Sequence, residues 1–300
     1  MKKQRQRFKK SDVRPETKAG RISYAGECAV PDEITSRKNE TVKDMVRLSN
    51  SAAYRRESRR FVAEGARLCR DAAQSGAAVF ELLFTPQAKE KYAPYLASVS
   101  EKAGRQYLIS PEVASCLSET KNPQGVFCVC GIPADRPDFP NAADGGHCLV
   151  LENIQDPANL GAMLRTAEAL GIRSVLLGGD CCDIYSSKVL RASMGAVFRL
   201  PLFRGPDTPR AIERLRQEGF VTLAAVPDDS AVPVTSLQLR GPAAVAVGNE
   251  GNGLTAEAQQ ACSLRVTIPM RGRAESLNAA ASAAILMWEL MRGETDGGSK

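Results

Sequence analysis

The chain contains a single histidine, His147, among its 300 residues. A catalytic His relay, or a metal site that relies on several imidazoles, is therefore nearly excluded. Its nine cysteines are an odd number, and the close pairs Cys128/Cys130 and Cys181/Cys182 lack the Cys-x-x-Cys spacing of zinc sites. We interpret the cysteines as reduced thiols, with the first pair on the core face of a strand, and we expect no metal.

Long apolar runs are also lacking. No uninterrupted stretch approaches the ~20 residues that span a bilayer, and the first residues lack the apolar segment of a secretory signal. The length allows two domains, each with its own core. We therefore expect a cytoplasmic protein with no membrane partner.

Charge is distributed unevenly along the chain. The first 60 residues carry a net charge of +9 and the other 240 carry −3, which gives the overall +6. A basic end favours a polyanion such as RNA as partner. For residues 1–30 a solvated, disordered extension is the alternative, and a mitochondrial presequence fits less well because acidic residues interrupt the segment.

Four arginines lie within six residues: Arg55, Arg56, Arg59 and Arg60. A helix through them would align Arg55 with Arg59 and Arg56 with Arg60 as two basic ridges. The planar donor fork of arginine suits phosphate, so we predict that all four contact RNA. The alternative is a solvated helix face.

Strand and helix patterns alternate along the chain, which predicts an α/β fold in two domains separated by a Pro-, Asp- and Gly-rich linker. The predicted parts are a basic, flexible extension (1–36), a first α/β domain (37–133), the linker (134–146), a second α/β domain (147–293) and a tail (294–300).

Three Gly-bearing segments stand out in the second half: NLGAMLRTAEALG near residue 160, VAVGNEGNGL near 250 and VTIPMRGRAESLNAAASAAILMWEL near 270. Each follows an apolar run that is typical of a buried strand. Because α/β sheets hold ligands beyond their strand ends, the three segments are expected to converge on one site. The glycine spacing differs from G-x-G-x-x-G, which disfavours a nicotinamide oxidoreductase.

Taken together, the order and spacing of these segments resemble the three signature motifs of the SpoU/TrmH branch of the SPOUT RNA methyltransferases. Residues 37–133 resemble the ribosomal-protein-like substrate-binding domain that often precedes them, so the resemblance covers about residues 37–293. The residues that carry the motif resemblance are Asn159, Gly161, Arg165, Gly248, Asn249, Glu250, Gly251, Ile268, Pro269, Met270, Ser276, Leu277 and Asn278.

The resemblance implies a parallel-sheet SPOUT domain with a deep trefoil knot at the C-terminus, preceded by a smaller α/β/α sandwich. It also implies that backbone around Gly248, Ile268, Met270 and Leu277 binds S-adenosyl-L-methionine. Such proteins are usually homodimers, with the site near the subunit interface.

Catalytic roles are likewise implied by the resemblance. Arg165 matches the family's essential arginine, to which we assign binding of the target phosphate and help in activating the hydroxyl. A guanidinium with a pKa of about 12 or more is a poor base. Asn159, Glu250 and Asn278 are the supporting polar groups. For Asn159 the alternative is helix capping or a hydrogen bond in the first helical turn, and for Glu250 it is a stabilising bond to loop amides.

The expected function is 2′-O-ribose methylation of RNA, with 23S ribosomal RNA as the substrate on analogy with enzymes that carry such a front domain. A tRNA 2′-O-methyltransferase and a non-catalytic RNA-binding or ribosome-assembly protein on the same fold are the alternatives. Base methylation also stays open, because some SPOUT relatives modify bases.

Overall fold

The first domain is built on a five-stranded mixed sheet. The computed structural model describes residues 31–134, 139–205 and 207–295. The elements of the first domain are β1 (Asp32–Ile34), α1 (Glu40–Asn50), α2 (Ala52–Ser58), β2 (Arg60–Glu64), α3 (Ala66–Gln74), β3 (Val79–Phe84), α4 (Pro86–Lys91), α5 (Ala93–Ser100), β4 (Ala103–Ile109), α6 (Pro111–Leu117) and β5 (Val126–Gly131). The strand order is β1-β4-β3-β5-β2, in which β5 runs antiparallel to β3 and β2 and the other pairs are parallel.

Both faces of this sheet are covered by helices. Strand residues such as Leu82 and Cys128 pack with α3 and α5, whereas Leu83 and Phe127 pack with α1 and α6 on the other face. Successive strand residues point to opposite faces, which is why neighbours in sequence belong to different cores. The predicted α/β/α sandwich is confirmed, and Cys128 and Cys130 lie in the core as expected.

The second domain is built on a seven-stranded sheet in which all strand pairs are parallel. Its elements are β6 (Cys148–Glu152), α7 (Pro157–Ala169), β7 (Ser174–Gly178), α8 (Ser187–Ala192), β8 (Leu202–Gly205), α9 (Thr208–Gln217), β9 (Val221–Ala225), β10 (Val232–Pro233), β11 (Ala243–Val247), α10 (Ala256–Ala261), β12 (Leu264–Thr267) and α11 (Ala279–Thr295). The order is β10-β12-β9-β11-β6-β7-β8. The predicted parallel-sheet C-terminal domain is therefore confirmed.

One predicted boundary differs from the structure. Residues 32–34, assigned to the N-terminal extension, form β1 and pair with β4, so the first sheet begins before residue 37. The linker contains a short 3-10 helix at Ala142–Asp144, preceded by Asn141, whose side chain donates to Glu218. Residues 1–30 and 296–300, within the predicted extension and tail, lie outside the described residues, as do linker residues 135–138.

The two domains share a continuous hydrophobic core. Phe61 of β2 stacks on Tyr185 and Phe198 of the second domain, with ring centroids 4.8 and 5.8 Å apart. At the same junction, Arg55 Nε donates to Asp183 Oδ2 at 2.7 Å. Tight apolar packing joined to a buried ion pair fixes the orientation of the first domain on the second.

The carboxyl ends of β6, β11 and β12 face the same edge of the sheet, because all three strands run parallel. The first signature segment lies mainly in α7, which follows β6, and the other two begin in β11 and β12 and continue into the loops that leave these strands. None of the helices in the described ranges is long and apolar enough to cross a membrane.

Candidate active site

The loop after β11 is closed on itself by backbone contacts. Asn249 and Gly253 exchange two backbone hydrogen bonds of 3.0 and 2.9 Å, and Asn249 Oδ1 accepts from the backbone of Gly251 and Asn252. A Cβ added at Gly248 would lie 2.1 Å from the carbonyl carbon of Gly253. Glycine is therefore required at Gly248 by close approach of two backbone segments.

Glu250 projects from this loop and accepts hydrogen bonds from the start of α7. Its carboxylate accepts from the backbone N–H groups of Gln155 at 3.3 Å and Asp156 at 3.2 Å, and from Asn159 Nδ2 at 3.1 Å. Burial opposes ionisation, but the Asn159 amide and the backbone donors outweigh it and lower the pKa of Glu250. Glu250 is thus held as a carboxylate that joins two loops.

Asn159 extends this connection to the third segment. Its Oδ1 accepts from Asn278 Nδ2 at 3.0 Å, and Asn278 Oδ1 accepts from the backbone of Ala280 and Ala281. Asn278 therefore caps α11 while it bonds to α7. Asp156, not Asn159, caps α7, so the capping alternative for Asn159 is wrong. A chain of polar contacts runs from Glu250 through Asn159 to Asn278.

The four residues predicted to bind cofactor line a single cavity of about 350 Å³. Gly248 lies in one wall, and Ile268, Met270 and Leu277 come from the segment between β12 and α11. Met270 and Leu277 are 38% and 37% exposed. Apolar side chains of this size, partly open to solvent and next to closely packed backbone, suit a flat, amphipathic ligand.

A second, more polar cavity adjoins the first. Both cavities are lined by Glu250, Ser276 and Leu277, and Asn159 and Asn278 lie only in the second. Glu250 therefore lies at the boundary between the two cavities, and the other two members of the polar chain line the more polar one. Such an arrangement places hydrogen-bonding groups beside the space where two reactants would meet.

Arg165 is not brought into either cavity. It lies on α7, nearly two turns beyond Asn159, and its side chain is exposed. Within the described ranges its side chain makes no hydrogen bond or ion pair, and it lines neither cavity. A role in chemistry requires that a further surface approach this face of α7.

Sequence reasoning missed a second carboxylate at this edge. Glu152, the last residue of β6, is 2% exposed and accepts from Thr255 through both the backbone N–H, at 2.8 Å, and the hydroxyl, at 3.1 Å. It joins the end of the glycine loop to the neighbouring strand. The sequence does contain a signal for this carboxylate, because an acidic residue at the end of an otherwise apolar strand needs hydrogen-bond partners when it is buried.

Residues 146–288 match the model of the SpoU rRNA Methylase family, and residues 39–128 match the MRM3-like substrate binding domain. The 23S rRNA (guanosine(2553)-2'-O)-methyltransferase RlmP of Bacillus subtilis is 32% identical over 258 residues, which cover 86% of this chain and 98% of that protein. The chain belongs to the SpoU rRNA methylase family.

Solved structures of SpoU-type enzymes have the same fold over nearly their whole length. The AdoMet-bound rRNA methyltransferase of Sinorhizobium meliloti is 30% identical, with a TM-score of 0.75, and the match covers 87% of this chain and 97% of that one. An RNA 2'-O ribose methyltransferase is 32% identical, also with a TM-score of 0.75, over 88% of this chain and 99% of that one. Both domains of this SpoU-family chain are therefore shared with these enzymes.

The arginine segment of this SpoU-family chain differs from the predicted helix. Helix α2 ends at Ser58, and Arg59 has a left-handed backbone with φ 52°, so the two predicted ridges do not form. Arg55 is 4% exposed and donates to Asp183 and to the carbonyls of Leu48 and Ser49. Its donors serve the domain junction, which removes Arg55 from the surface available to RNA.

The other three arginines divide into two groups. Arg60 makes two hydrogen bonds to Asp44, of 2.9 and 3.1 Å. Arg56 and Arg59 are exposed, and Arg59 Nη2 donates to the carbonyl of Pro133 at 2.8 Å. Contact of Arg56 and Arg59 with RNA stays a prediction, whereas the charge of Arg60 is largely balanced within the fold.

Proposed function

We propose that this protein transfers the methyl group of S-adenosyl-L-methionine to a ribose 2′-hydroxyl of 23S ribosomal RNA. The hydrogen-bond chain from Glu250 through Asn159 to Asn278 carries the proposal, because it assembles the three signature segments around the cavity. Similarity to RlmP along nearly its whole length supports the ribosomal substrate and ribose chemistry. We place the reaction in the cytoplasm.

The cavity residues fit this cofactor. Ile268, Met270, Leu277 and Leu286 provide apolar surface for a purine, and Gly248 lets backbone carbonyl and amide groups approach closely. When bound, S-adenosyl-L-methionine supplies an electrophilic sulfonium methyl group. The chain's own contribution is to hold the ribose hydroxyl in line with that group at near-attack distance and to exclude water.

Glu250, Asn159 and Asn278 are proposed as positioning residues for the cofactor and the ribose. Because Glu250 accepts from three donors of the α7 start, its carboxylate is a weak proton acceptor and a strong structural anchor. The amide of Asn159 is engaged at both ends, which fixes its orientation. Their effect on rate is therefore exerted through geometry.

Arg165 is proposed to bind the phosphate beside the target ribose and to help activate the hydroxyl, with the site completed in a homodimer. Its exposed guanidinium is available on α7, and the exposed side of α11, which packs on α7, carries Ile285 and Trp288 at 37% and 56% exposure. A second copy seated on this apolar surface would cover both helices and enclose the arginine.

We also propose that the C-terminal segment threads into a trefoil knot. The strand order supports this, since β12 lies between β10 and β9, and the segment from β12 to α11 returns beside the loop of β11. Knots are rare in proteins, so the proposal depends on family membership as well as on strand order.

Methyl transfer from labelled S-adenosyl-L-methionine to total RNA from cells without this protein tests the function. Nuclease digestion and nucleoside identification follow, with Arg165→Ala as the control. We expect a 2′-O-methyl nucleoside in 23S rRNA that is absent in the control. A labelled base, labelled tRNA, or no label despite cofactor binding would each contradict the proposal and point to one of the alternatives.

A further inference from the structure

A cavity of about 380 Å³ lies at the junction of the two domains, apart from the cofactor cavity. The first domain contributes Arg56 and Arg59 to it, and the second contributes Arg204 from β8 together with half-buried Tyr185 and Phe198. We name this cavity the arginine groove. Its walls therefore combine three guanidinium groups with two aromatic rings.

Arginines elsewhere at the junction are paired with carboxylates. Arg55 binds Asp183, and Arg191 Nη2 lies 2.9 Å from a Glu119 oxygen. Arg199 is likewise 2.8 Å from Glu168 and 3.2 Å from Asp71. These pairs balance their charges within the fold.

The groove arginines are different. In the part of the chain that the structure describes, Arg56, Arg59 and Arg204 have no carboxylate partner, and each is exposed. Asp183 also lines the groove, but its carboxylate is held by Arg55 and by the backbone N–H of Tyr185. Among the residues that the structure describes, the groove thus carries a positive charge that no carboxylate pairs with, and such a charge suits phosphate.

Aromatic residues make the groove more specific than a charged surface. The ring of Tyr185 is stacked on Phe61, and the Arg204 guanidinium lies 5.9 Å from the Tyr185 centroid. Guanidinium planes and aromatic rings beside phosphate-binding groups are the usual recognition surface for single-stranded RNA.

The groove shares a sheet edge with the candidate active site. Tyr185 follows β7 and Arg204 lies near the end of β8, while Glu250 follows β11, and these strands are parallel in the order β11-β6-β7-β8. Three strand spacings of about 4.8 Å amount to roughly 15 Å. About four stacked nucleotides at roughly 3.4 Å each would cover this distance.

The loops between the two sites are connected directly. Asn153 Oδ1 accepts from the backbone of Asp180 at 2.8 Å, and Cys182 donates its backbone N–H to Ile154 at 2.8 Å. The side chain of Gln155, whose backbone binds Glu250, donates to the Asp180 carbonyl. The groove is therefore held at a fixed position relative to Glu250.

We propose that the arginine groove binds the sugar–phosphate backbone of single-stranded RNA a few nucleotides away from the ribose that is methylated. The inference rests on the proposed function for the choice of RNA as ligand. It adds Arg204, which sequence reasoning did not consider, and excludes Arg55 and Arg60.

The test measures binding of a 12-nucleotide oligouridylate to the full chain as a function of salt. Arg56→Gln combined with Arg204→Gln removes one charge from each domain and is compared with wild type. Each single-strand phosphate contact contributes about 0.7 to the slope of log affinity against log salt, so the slope should fall by about 1.4. Between 50 and 200 mM salt this corresponds to about a sevenfold difference in the loss of affinity.

Arg240→Gln is the matched control, because Arg240 is exposed and precedes β11 at the opposite edge of the sheet. An unchanged slope in the double variant, or an equal decrease with Arg240→Gln, would overturn the groove assignment. Cofactor affinity and the unfolding midpoint should stay at wild-type values.

Methyl transfer to 23S rRNA separates this inference from the function on which it rests. If the wild-type protein transfers methyl groups and the salt slope of the double variant is unchanged, the groove proposal is refuted and the enzyme assignment stands. If the salt slope of the double variant falls as expected but the wild-type protein transfers no methyl group, the groove proposal is supported and the enzyme assignment is refuted.

Discussion

Replacement of Glu250 by glutamine is the sharpest test of the polar chain at the candidate site. The substitution preserves size and replaces one acceptor oxygen with a donating NH₂ group. The neighbours of the carboxylate are all donors, namely the backbone of Gln155 and Asp156 and the amides of Asn159 and, at 3.5 Å, Asn249. One of them must therefore face another donor in the variant.

The cost follows from the number and exposure of these bonds. A hydrogen bond to a charged group contributes about 1.5–3 kcal/mol, and solvent competition reduces this at an exposed position, so we expect a loss of about 1–2 kcal/mol of unfolding free energy. If cofactor binding must restore the order of the glycine loop that the substitution loosens, a cost of about 1.4 kcal/mol would weaken cofactor affinity roughly tenfold.

Urea unfolding and calorimetric titration of S-adenosyl-L-methionine measure the two effects. Glu213→Gln is the control, because Glu213 is exposed on α9 and a surface change of this kind alters stability by about 0.5 kcal/mol or less. Equal stability and cofactor affinity in the two variants would refute the anchoring role of Glu250.

The effect should also depend on pH. Because the pKa of Glu250 is lowered in the folded protein, its stabilisation is fully present above the ordinary value of about 4.5 and is lost as pH falls through the folded pKa. The stability difference between wild type and Glu250→Gln should thus be constant from pH 7 to about pH 5 and shrink below about pH 4. A difference that grows on acidification would contradict this sign.

Three further substitutions test other parts of the structure. Gly248→Ala places a Cβ 2.1 Å from the backbone of Gly253, so overpacking should lower the free energy of unfolding in urea by about 1–3 kcal/mol and weaken cofactor binding. Gly251→Ala is the control, because its Cβ would lie 3.5 Å from Asn249. Equal effects of the two substitutions would contradict the close-approach argument. Arg55→Met leaves Asp183 without its partner and should lower the free energy of unfolding by about 3–5 kcal/mol, whereas the control Arg56→Met should leave it nearly unchanged. Similar unfolding midpoints in the two variants would show that the ion pair does not hold the domain junction. Arg165→Ala should lower methyl transfer by about 100-fold or more with cofactor affinity retained, and wild-type turnover would remove Arg165 from the reaction.

Local signals predicted many of the element positions. Helix α7 (Pro157–Ala169) lies between two such signals, because Asp156 accepts from the Ala158 N–H at its start and Gly171, just beyond its end, has a φ of 78°. The same reasoning failed at Arg59, where no local residue signals a left-handed backbone. The final helix begins at Ala279, since Asn278 serves as its cap.

The sequence also indicated which residues would come together, but without their contacts. Gly248, Ile268, Met270 and Leu277, which the family resemblance indicated as cofactor-binding positions, line one cavity. Arg165, by contrast, is outside both cavities. A motif identifies a residue type at a position, whereas the direction of its side chain depends on how the helix packs.

The sequence by itself determined the alternation of strands and helices, the placement of polar loops at strand ends, and the family. Those features are encoded within a few residues by periodicity, capping and glycine spacing. Only the tertiary structure decided that Glu250 bonds to Asn159 across 91 residues, that Asn159 bonds to Asn278 across 119, and that Arg55 is buried against Asp183 across 128. Partners so distant in sequence are brought together by strand order and core packing, and no local pattern specifies which donor meets which acceptor.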